Sequence, residues 1–541
     1  MSSSADFAAG PPAPKPGAFA PFGHRAFALL WTATLISNVG TWMHDVGAGW
    51  LMTTLNSSPA VVTLVQAATT LPVFLFALFA GALADRLDKR KMLIVINVIL
   101  MAVIALLTLL VAQDRMTPLL LILFTLAIGT GAAFMAPAWQ AVVPQLVPRE
   151  TLKPAIALNS MGINISRAIG PALAGVLIAS VGLAAPFALN AASHVVIILA
   201  LLAWQPEPRA PRRATGSIPS EMITGLRHVR HNPAMRATLV RALAFFLFAS
   251  AYWSLLPLIA RNAEGGGSEL YGILMALIGA GAVAGALLLP RLQGRAESNA
   301  LVRLGTVGTA TALVVLALSP QPLALMAAAL LGGLSWIAVL TSFNVSAQTS
   351  LPDWVRARGL AVFLMVFFGA MALGSVLWGQ VAATMSIELA LLLAAAGLVL
   401  GIPLTRRHAV GQGETLDLTP AAAWPEAPAL EAGSSGDAPA MVTVEYLVAA
   451  KDTEAFVAAL DGFAGERLRD GATQWMLHQS VEHPELWVES FHLPSWAEHL
   501  EQHRRATRND ADLQAKVRAF DTRADGPVVR HFIAPTHRGP T

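Results

Sequence analysis

Twelve apolar runs, each long enough to cross a bilayer, constrain this chain more than any other feature. A hydrocarbon core about 30 Å thick takes about 20 helical residues. The runs at 27–54, 59–84, 92–113, 118–140, 155–181, 185–204, 237–261, 268–290, 300–318, 322–348, 359–384 and 387–405 meet that length. Only 13% of the residues are charged and 55% are hydrophobic, which excludes an ordinary soluble protein. The sequence has no cysteine, so disulfides, thiol nucleophiles and cysteine-ligated metal centres are excluded. A net charge of +3 gives no footing for nucleic-acid binding; the lipid bilayer is the partner this composition implies.

A polar stretch from Gln205 to Arg236, carrying Arg209, Arg212, Arg213, Arg227, Arg230 and Arg236, divides the spans six and six. Basic residues fall in every second connection: Arg86, Lys89, Arg90 and Lys91, then Arg149 and Lys153, the central stretch, Arg291 and Arg295, and Arg356 and Arg358. The other connections hold little beyond Arg115 and Arg261, so both termini are expected in the cytoplasm. The halves also match each other at a shift of about 204 residues. Gly81 meets Gly285, Pro118 meets Pro322, Gly129 meets Gly333, Pro148 meets Pro352, Gly170 meets Gly374 and Gly175 meets Gly379. Glycine and proline set kinks and close approaches in membrane helices, so this register predicts two pseudo-symmetric six-helix bundles, 25–204 and 237–408, around a central site.

Outside the spans, residues 1–24 read as a disordered cytoplasmic tail, 205–236 as a cytoplasmic loop and 409–440 as a flexible linker. Residues 441–535 form a second domain: strands at 441–448, 474–481, 486–493 and 528–533, and helices at 453–469 and 496–520. That order, β-α-β-β-α-β, predicts a ferredoxin-like α+β domain, with 536–541 as a tail. The expected fold class is therefore an all-α membrane protein of twelve transmembrane helices with a C-terminal α+β domain.

In the first span Thr34, Asn38, Thr41 and Asp45 recur at helical spacing and form one polar stripe. An ionisable group inside a span is costly to insert, so Asp45 is a candidate proton carrier facing a cavity, or else a helix-end group meeting water or a neighbour. The fifth span aligns Ser160, Asn164, Arg167, Pro171 and Gly175. Arg167 can pair with Asp45, hold an anionic substrate group, or satisfy backbone carbonyls freed around Pro171. His194 reads more readily as an interhelical donor than as a relay. Between spans two and three the segment GALADRLDKRK places Gly81, Asp85, Arg86, Arg90 and Lys91 together. There glycine allows close helix contact, the bases anchor the loop, and the carboxylate suits a helix N-terminus; alternatively the bases serve only topology.

This segment resembles the loop signature of the major facilitator superfamily, with Asp88 where a second glycine is usual. Gly162, Gly170, Pro171 and Gly175 are similar to part of that superfamily's antiporter signature, with Ser166 and Ala174 at glycine positions. The stretches NVGTWMHDVGAGWLM, NISRAIGPALAG and WAEHLEQHRRATRND resemble the bacterial transmembrane secretion effector branch, related to the enterobactin exporter. The resemblance implies a rocker-switch secondary transporter in the bacterial inner membrane, its cytoplasmic gate latched by Asp85 and Arg86 against the eleventh helix. It also implies a cavity lined by helices one, four, seven and ten, which makes Asn38, Asp45, Gln140, Tyr252, Trp253, Trp336 and Asn344 candidates for substrate contact. Aromatic and amide groups suit an amphipathic organic molecule, although Trp253 fits an interfacial anchor equally well.

The C-terminal segment carries His478, His483, His492, His499, His503 and His531. His499 and His503 lie four apart on an expected helix, spacing that binds a metal only when further ligands converge; a solvated helix face is the preferred reading. Trp475, Trp487 and Trp496 fit a core or a dimer interface. The domain resembles small dimeric α+β barrels, some of them monooxygenases, which implies regulation or homodimerisation. No nucleophile–base pair, metal set or nucleotide loop is assembled by the sequence, so neither an enzyme nor a cofactor is expected. The reading is a proton-coupled exporter of a small amphipathic molecule of the siderophore or drug class. Its alternatives are an uncoupled facilitator or lipid flippase, and a membrane-anchored enzyme acting through the C-terminal domain.

Overall fold

The computed structural model describes residues 17–205, 218–293, 297–421, 428, 430 and 436–535. Residues 1–16 and 536–541, part of the central loop and part of the linker lie outside them. Among the described residues fourteen α-helices precede the C-terminal domain: α1 (Arg25–Leu55), α2 (Pro59–Arg86), α3 (Lys89–Ala112), α4 (Pro118–Val142), α5 (Leu152–Ser180), α6 (Ala184–Ala203), α7 (Ile218–Arg230), α8 (Pro233–Ser254), α9 (Leu256–Asn262), α10 (Ser268–Gln293), α11 (Ser298–Leu318), α12 (Pro322–Thr349), α13 (Arg356–Thr384) and α14 (Ile387–Leu404). Counting α8 with α9 as one broken span, twelve are long and apolar enough to cross a membrane. Pro59, Pro118, Pro233 and Pro322 open their helices, where a missing N–H is harmless. Pro257 follows the break at Leu255 and supplies no N–H to the preceding turn.

The packing repeats between halves. In the first, α1 lies against α5 and α6, α2 against α4, and α3 against α6; in the second, α8 lies against α13 and α14, α10 against α12, and α11 against α14. The halves meet through α2 with α13 and α5 with α10, pairs that exchange under the same two-fold relation. The helix ends carrying Arg86, Lys89, Arg90 and Lys91 are termed the basic end here. Tight contact between halves runs from mid-span, where a Cβ on Gly279 would stand 2.8 Å from the Arg167 carbonyl oxygen, to the far end. A Cβ on Gly175 would stand 2.9 Å from the Ser268 carbonyl oxygen, and one on Gly379 would collide with the Thr63 side chain.

After α14 the chain forms β1 (Ala440–Leu447), α15 (Thr453–Asp470), β2 (Gln474–Gln479), β3 (Leu486–Leu493), α16 (Trp496–Arg505), α17 (Arg508–Arg518) and β4 (Val528–Ile533). The strands make a small sheet in the order β2-β3-β1-β4, each neighbouring pair antiparallel. Val442, Val444 and Tyr446 alternate onto the face covered by Phe456, Leu460 and Phe463 of α15. Inside, Glu489 accepts hydrogen bonds from Arg467 (3.1 Å), Tyr446 (3.1 Å) and Trp475 (3.0 Å).

Four expectations need correction. The tail is ordered from Ala20, where a 3-10 turn seats Phe22 edge-on to Trp31 at 5.0 Å. The central stretch contains α7, an amphipathic helix rather than only a loop. The linker begins packed, not flexible: Gln412–Thr415 is a 3-10 turn, and Ser346 Oγ accepts from the Gly411 N–H at 3.1 Å. The helix expected over 496–520 breaks at Ala506, because Thr507 starts a new one with a reciprocal cap to Asp510.

The C-terminal domain rests on the basic end of the second half. Glu498 of α16 receives Arg227 of α7 (3.3 Å) and Arg505 (2.6 Å). The Arg505 guanidinium lies 4.5 Å above the ring of Trp354, in the α12–α13 connection, and His228 stands edge-on to the same ring at 5.3 Å.

Candidate functional site

Between the halves lies a cavity of about 530 Å³. It reaches from Val62 and Tyr271 near the far end to Gln140, close to the basic end of α4. Its wall is mostly apolar and aromatic, with hydroxyl and amide groups and one carboxylate, Asp45. Helix α1 turns Thr41, Asp45 and Ala48 onto this wall because they are spaced by one turn. Among the described residues the Asp45 carboxylate has no hydrogen-bond or ion-pair partner.

The structure sorts the other candidates. Gln140 and Trp253 line the cavity with Asp45. Trp336 lies behind Trp253, the two rings meeting edge to face at 5.2 Å, so it supports the wall without forming it. Tyr252 is buried in the second half, its hydroxyl donating to the Ala329 carbonyl at 3.0 Å and its ring pressed on Gly332. Asn38 lies off the wall, one turn before Thr41 and Trp42. Asn344 lies off it too, toward the basic end, accepting from Gln348 at 2.9 Å.

The expected Asp45–Arg167 pair is not formed. Gly170 lets α5 approach α1 so closely that its Cβ would stand 2.6 Å from the Trp42 Cβ. The Arg167 guanidinium consequently lies over the Trp42 ring, 5.2 Å from its centroid, and its Nε has no partner among the described residues. Pro171 and Gly175 continue that face of α5 onto α10, where Gly272 sits against the Pro171 carbonyl. His194 Nδ1 lies 2.9 Å from Asn97 Oδ1. Because the Asn97 amide donates to the Leu93 carbonyl, its oxygen faces the imidazole and assigns the proton to Nδ1.

At the basic end, Arg90 donates through Nε and an Nη to the carbonyls of Leu201 and Leu202, both at 2.8 Å, and so satisfies the C-terminus of α6. The Lys91 N–H is capped by Asp88 at 2.9 Å. Arg86 is exposed at the end of α2, and the Asp85 side chain lies outside the described residues. Gly81 makes no close helix contact: a Cβ there would meet nothing within 4 Å, which corrects that expectation.

Several wall residues were missed from the sequence. Gln66 of α2, Tyr271 of α10 and Phe368 of α13 all face the cavity, yet the expectation drew only on helices one, four, seven and ten. Mid-span amides such as Gln66 carried the usable signal.

The family model described as transmembrane secretion effector matches residues 16–539, nearly the whole chain. The chain belongs to the transmembrane secretion effector family. Among similar proteins, the staphyloferrin A transporter of Staphylococcus aureus is 25% identical over 64% of this chain and 87% of its own length. An enterobactin exporter of Shigella boydii is 27% identical over 67% of this chain and 86% of its own. Solved structures share the fold. An inward-facing, occupied bacterial homologue of the human lysosomal transporter Spinster superposes with a TM-score of 0.59 at 14% identity, over 72% of this chain and 97% of that one. A POT family transporter in complex with 5-aminolevulinic acid gives 0.59 at 12% identity, over 73% and 98%. This secretion effector is thus a multi-pass bacterial membrane protein with the major facilitator fold, and the relatives named are transporters rather than enzymes.

Proposed function

We propose that the protein is a proton-coupled exporter of a small amphipathic molecule of the siderophore class, working by alternating access in the inner membrane with both termini in the cytoplasm. The observation that carries this reading is the Asp45 carboxylate on the cavity wall, free of any described ion-pair partner. Such a group can exchange a proton with whichever side the cavity faces, and a substrate occupying the same volume competes with that exchange. Tight contact at the far end and a wall running to Gln140 support a state open toward the basic end, the cytoplasmic end by the charge rule. Apolar and aromatic surfaces with scattered hydroxyl and amide groups suit an amphipath, and the names of the relatives supply the siderophore class. The two six-helix units, the gate role of Asp85 and Arg86, and a ferredoxin-like reading of the C-terminal sheet belong to the same proposal. The sheet order and antiparallel pairing support the last of these, and its uncovered face allows a homodimer.

The test is reconstitution in vesicles containing a pH-sensitive dye, with siderophores and other amphipaths supplied in turn. Wild type should move protons when substrate is added, and Asp45→Asn should lose proton movement while still inserting as a folded monodisperse protein. Substrate flux without proton movement in wild type would replace this mechanism with an uncoupled facilitator.

A further inference from the structure

At the basic end of the second half, α8, α11 and α14 enclose a shallow notch walled by Arg241, Arg303, Thr306 and Thr405, with Phe245 and Leu398 beneath. Helices α8 and α11 begin at this end and α14 finishes there. Arg241 is eight residues into α8 and Arg303 five into α11, so both stand about 8–12 Å along their helices, near the boundary between headgroups and hydrocarbon. Arg241 is only 5% exposed. Its Nε donates to Thr405 Oγ1 at 3.1 Å and one Nη to Asn299 Oδ1, both neutral acceptors. The second Nη has no partner among the described residues. Arg303 follows Asn299 by one turn of α11 and is exposed.

Two guanidinium charges therefore share one notch, and neither has an ion-pair partner among the described residues. A cation withdrawn from water among neutral partners is costly, and a second cation beside it adds repulsion. The acidic groups at the start of α11 do not relieve this: Glu414 accepts from Ser298 Oγ at 2.5 Å, and neither it nor Glu297 lines the notch. The first half is built otherwise. There α3 packs on α6 as α11 packs on α14, and Arg90 is used up on the carbonyls of Leu201 and Leu202. In the second half Thr405 Oγ1 bonds the Gly401 carbonyl at 2.7 Å, and Arg241 reaches the hydroxyl instead. Polar clusters of the C-terminal domain offer less. His499 is 1% exposed, so the solvated helix face expected for it is absent, and Arg469 bridges Asp470 and Asp510 at 2.9 Å to each, taking the place a cation would fill.

We propose that Arg241 and Arg303 form a binding site for the phosphate of an anionic glycerophospholipid in the leaflet at the basic end. The notch is small, about 20 Å³, which is room for one water-sized atom. One phosphate oxygen fills it, accepting from the free Nη of Arg241 and from Arg303, while the rest of the headgroup stays at the mouth. Arginine suits this role because its fork matches phosphate geometry. The acyl chains lie along the exposed apolar surface of the same helices, which carries Leu304 and Val307 on α11 and Leu400 and Leu404 on α14. Basic pockets between membrane helices at the cytoplasmic side recognise anionic headgroups in this way. No lining residue is acidic, so the ammonium of a zwitterionic headgroup finds no partner there and a net anion is preferred. The assignment depends on membrane placement and not on proton coupling.

Full-length protein, delipidated in detergent, is titrated with phosphatidylglycerol or with phosphatidylcholine of the same acyl chains, and bound lipids are counted by native mass spectrometry. Wild type should take up one phosphatidylglycerol at a concentration at least about tenfold below that needed for phosphatidylcholine. Arg303→Gln and Arg241→Gln should each weaken that first phosphatidylglycerol by about tenfold, the weight of one charge-assisted hydrogen bond, and leave phosphatidylcholine unchanged. Arg261→Gln, exposed at the end of α9, should bind as wild type does. Inorganic phosphate in millimolar excess should leave the lipid bound, because the chains hold it too; displacement would reassign the notch to free phosphate and overturn the lipid. Equal affinity for the two lipids, or unchanged affinity in Arg303→Gln, also overturns the assignment. Should Arg241→Gln fail to elute as a folded species, the exposed Arg303 variant decides.

Discussion

At the scale of single residues, the cavity separates two charges that the sequence invites one to join. Asp45 and Arg167 lie on helices that touch, but Trp42 takes the guanidinium onto its ring and Asp45 is left to the cavity. Exchanging the charges, Asp45→Arg with Arg167→Asp, should therefore restore none of the transport lost in either single variant; recovery in vesicles would show that the two meet during the cycle. Asp45 was legible as a candidate wall residue because an ionisable group inside a span needs a partner or a cavity, whereas Gln140 and Trp253 were reached only through the family resemblance. Tyr252 and Trp336 looked the same in sequence, yet close packing of the second half absorbed both. No spacing rule distinguishes Trp253 from its neighbour, since one helical step decides which ring meets the cavity. In the C-terminal core, Glu489→Gln should cost about 3–5 kcal/mol, because it leaves the Arg467 guanidinium buried without its carboxylate. Thermal unfolding of the domain signal within the full chain measures this.

At the scale of elements, the spans were read almost to the residue. A run such as 118–140 is fixed by bilayer thickness at one end and by Pro118 at the other, and it became Pro118–Val142. Short amphipathic helices were harder. Helix α7 carries charges on most of its turns and gains its stability from what covers it, so periodicity alone could not separate it from a loop. That cover makes the docking sensitive to pH. His228 is buried between Trp354 and Asp470. Burial holds its pKa well below 6.5, with Arg469, Arg505 and Arg227 acting in the same direction and Asp510 opposing. The undocked helix thus binds more protons than the docked one. Docking strength is full above about pH 6.5 and declines as pH falls toward the docked pKa. Once the slower intrinsic exchange at lower pH is divided out, the opening of 222–230 read from hydrogen exchange should increase on acidification from pH 7.5 to pH 5.5, and His228→Gln should flatten that increase; equal slopes in both proteins would remove His228 as the cause.

At the scale of the whole molecule, the first six spans touch the later six through glycines from the far end, at Gly379 and Gly175, to mid-span, at Gly279 and Gly369, and a cavity lies between them. The six matched pairs of glycine and proline are what led the sequence reading to two like halves, whereas the docking of the last domain had no trace in local pattern, because it depends on contacts between segments far apart in sequence. Gly379→Val should wedge the far end apart against Thr63. An overpacking cost of about 1–3 kcal/mol on the closed contact corresponds to about a 5- to 150-fold shift in population. Spin labels placed across α2 and α13 should record the lost close distances, and transport should fall in step. The contact between Arg227 and Glu498 spans 271 positions of chain. At about 5–20 residues per second, a ribosome takes roughly 15–50 seconds to deliver the second partner after the first. Through that interval α7 is already made, and Glu498, which its Arg227 will bind, is still unwritten. Assembly of this protein thus has a waiting step, and the last hundred residues end it.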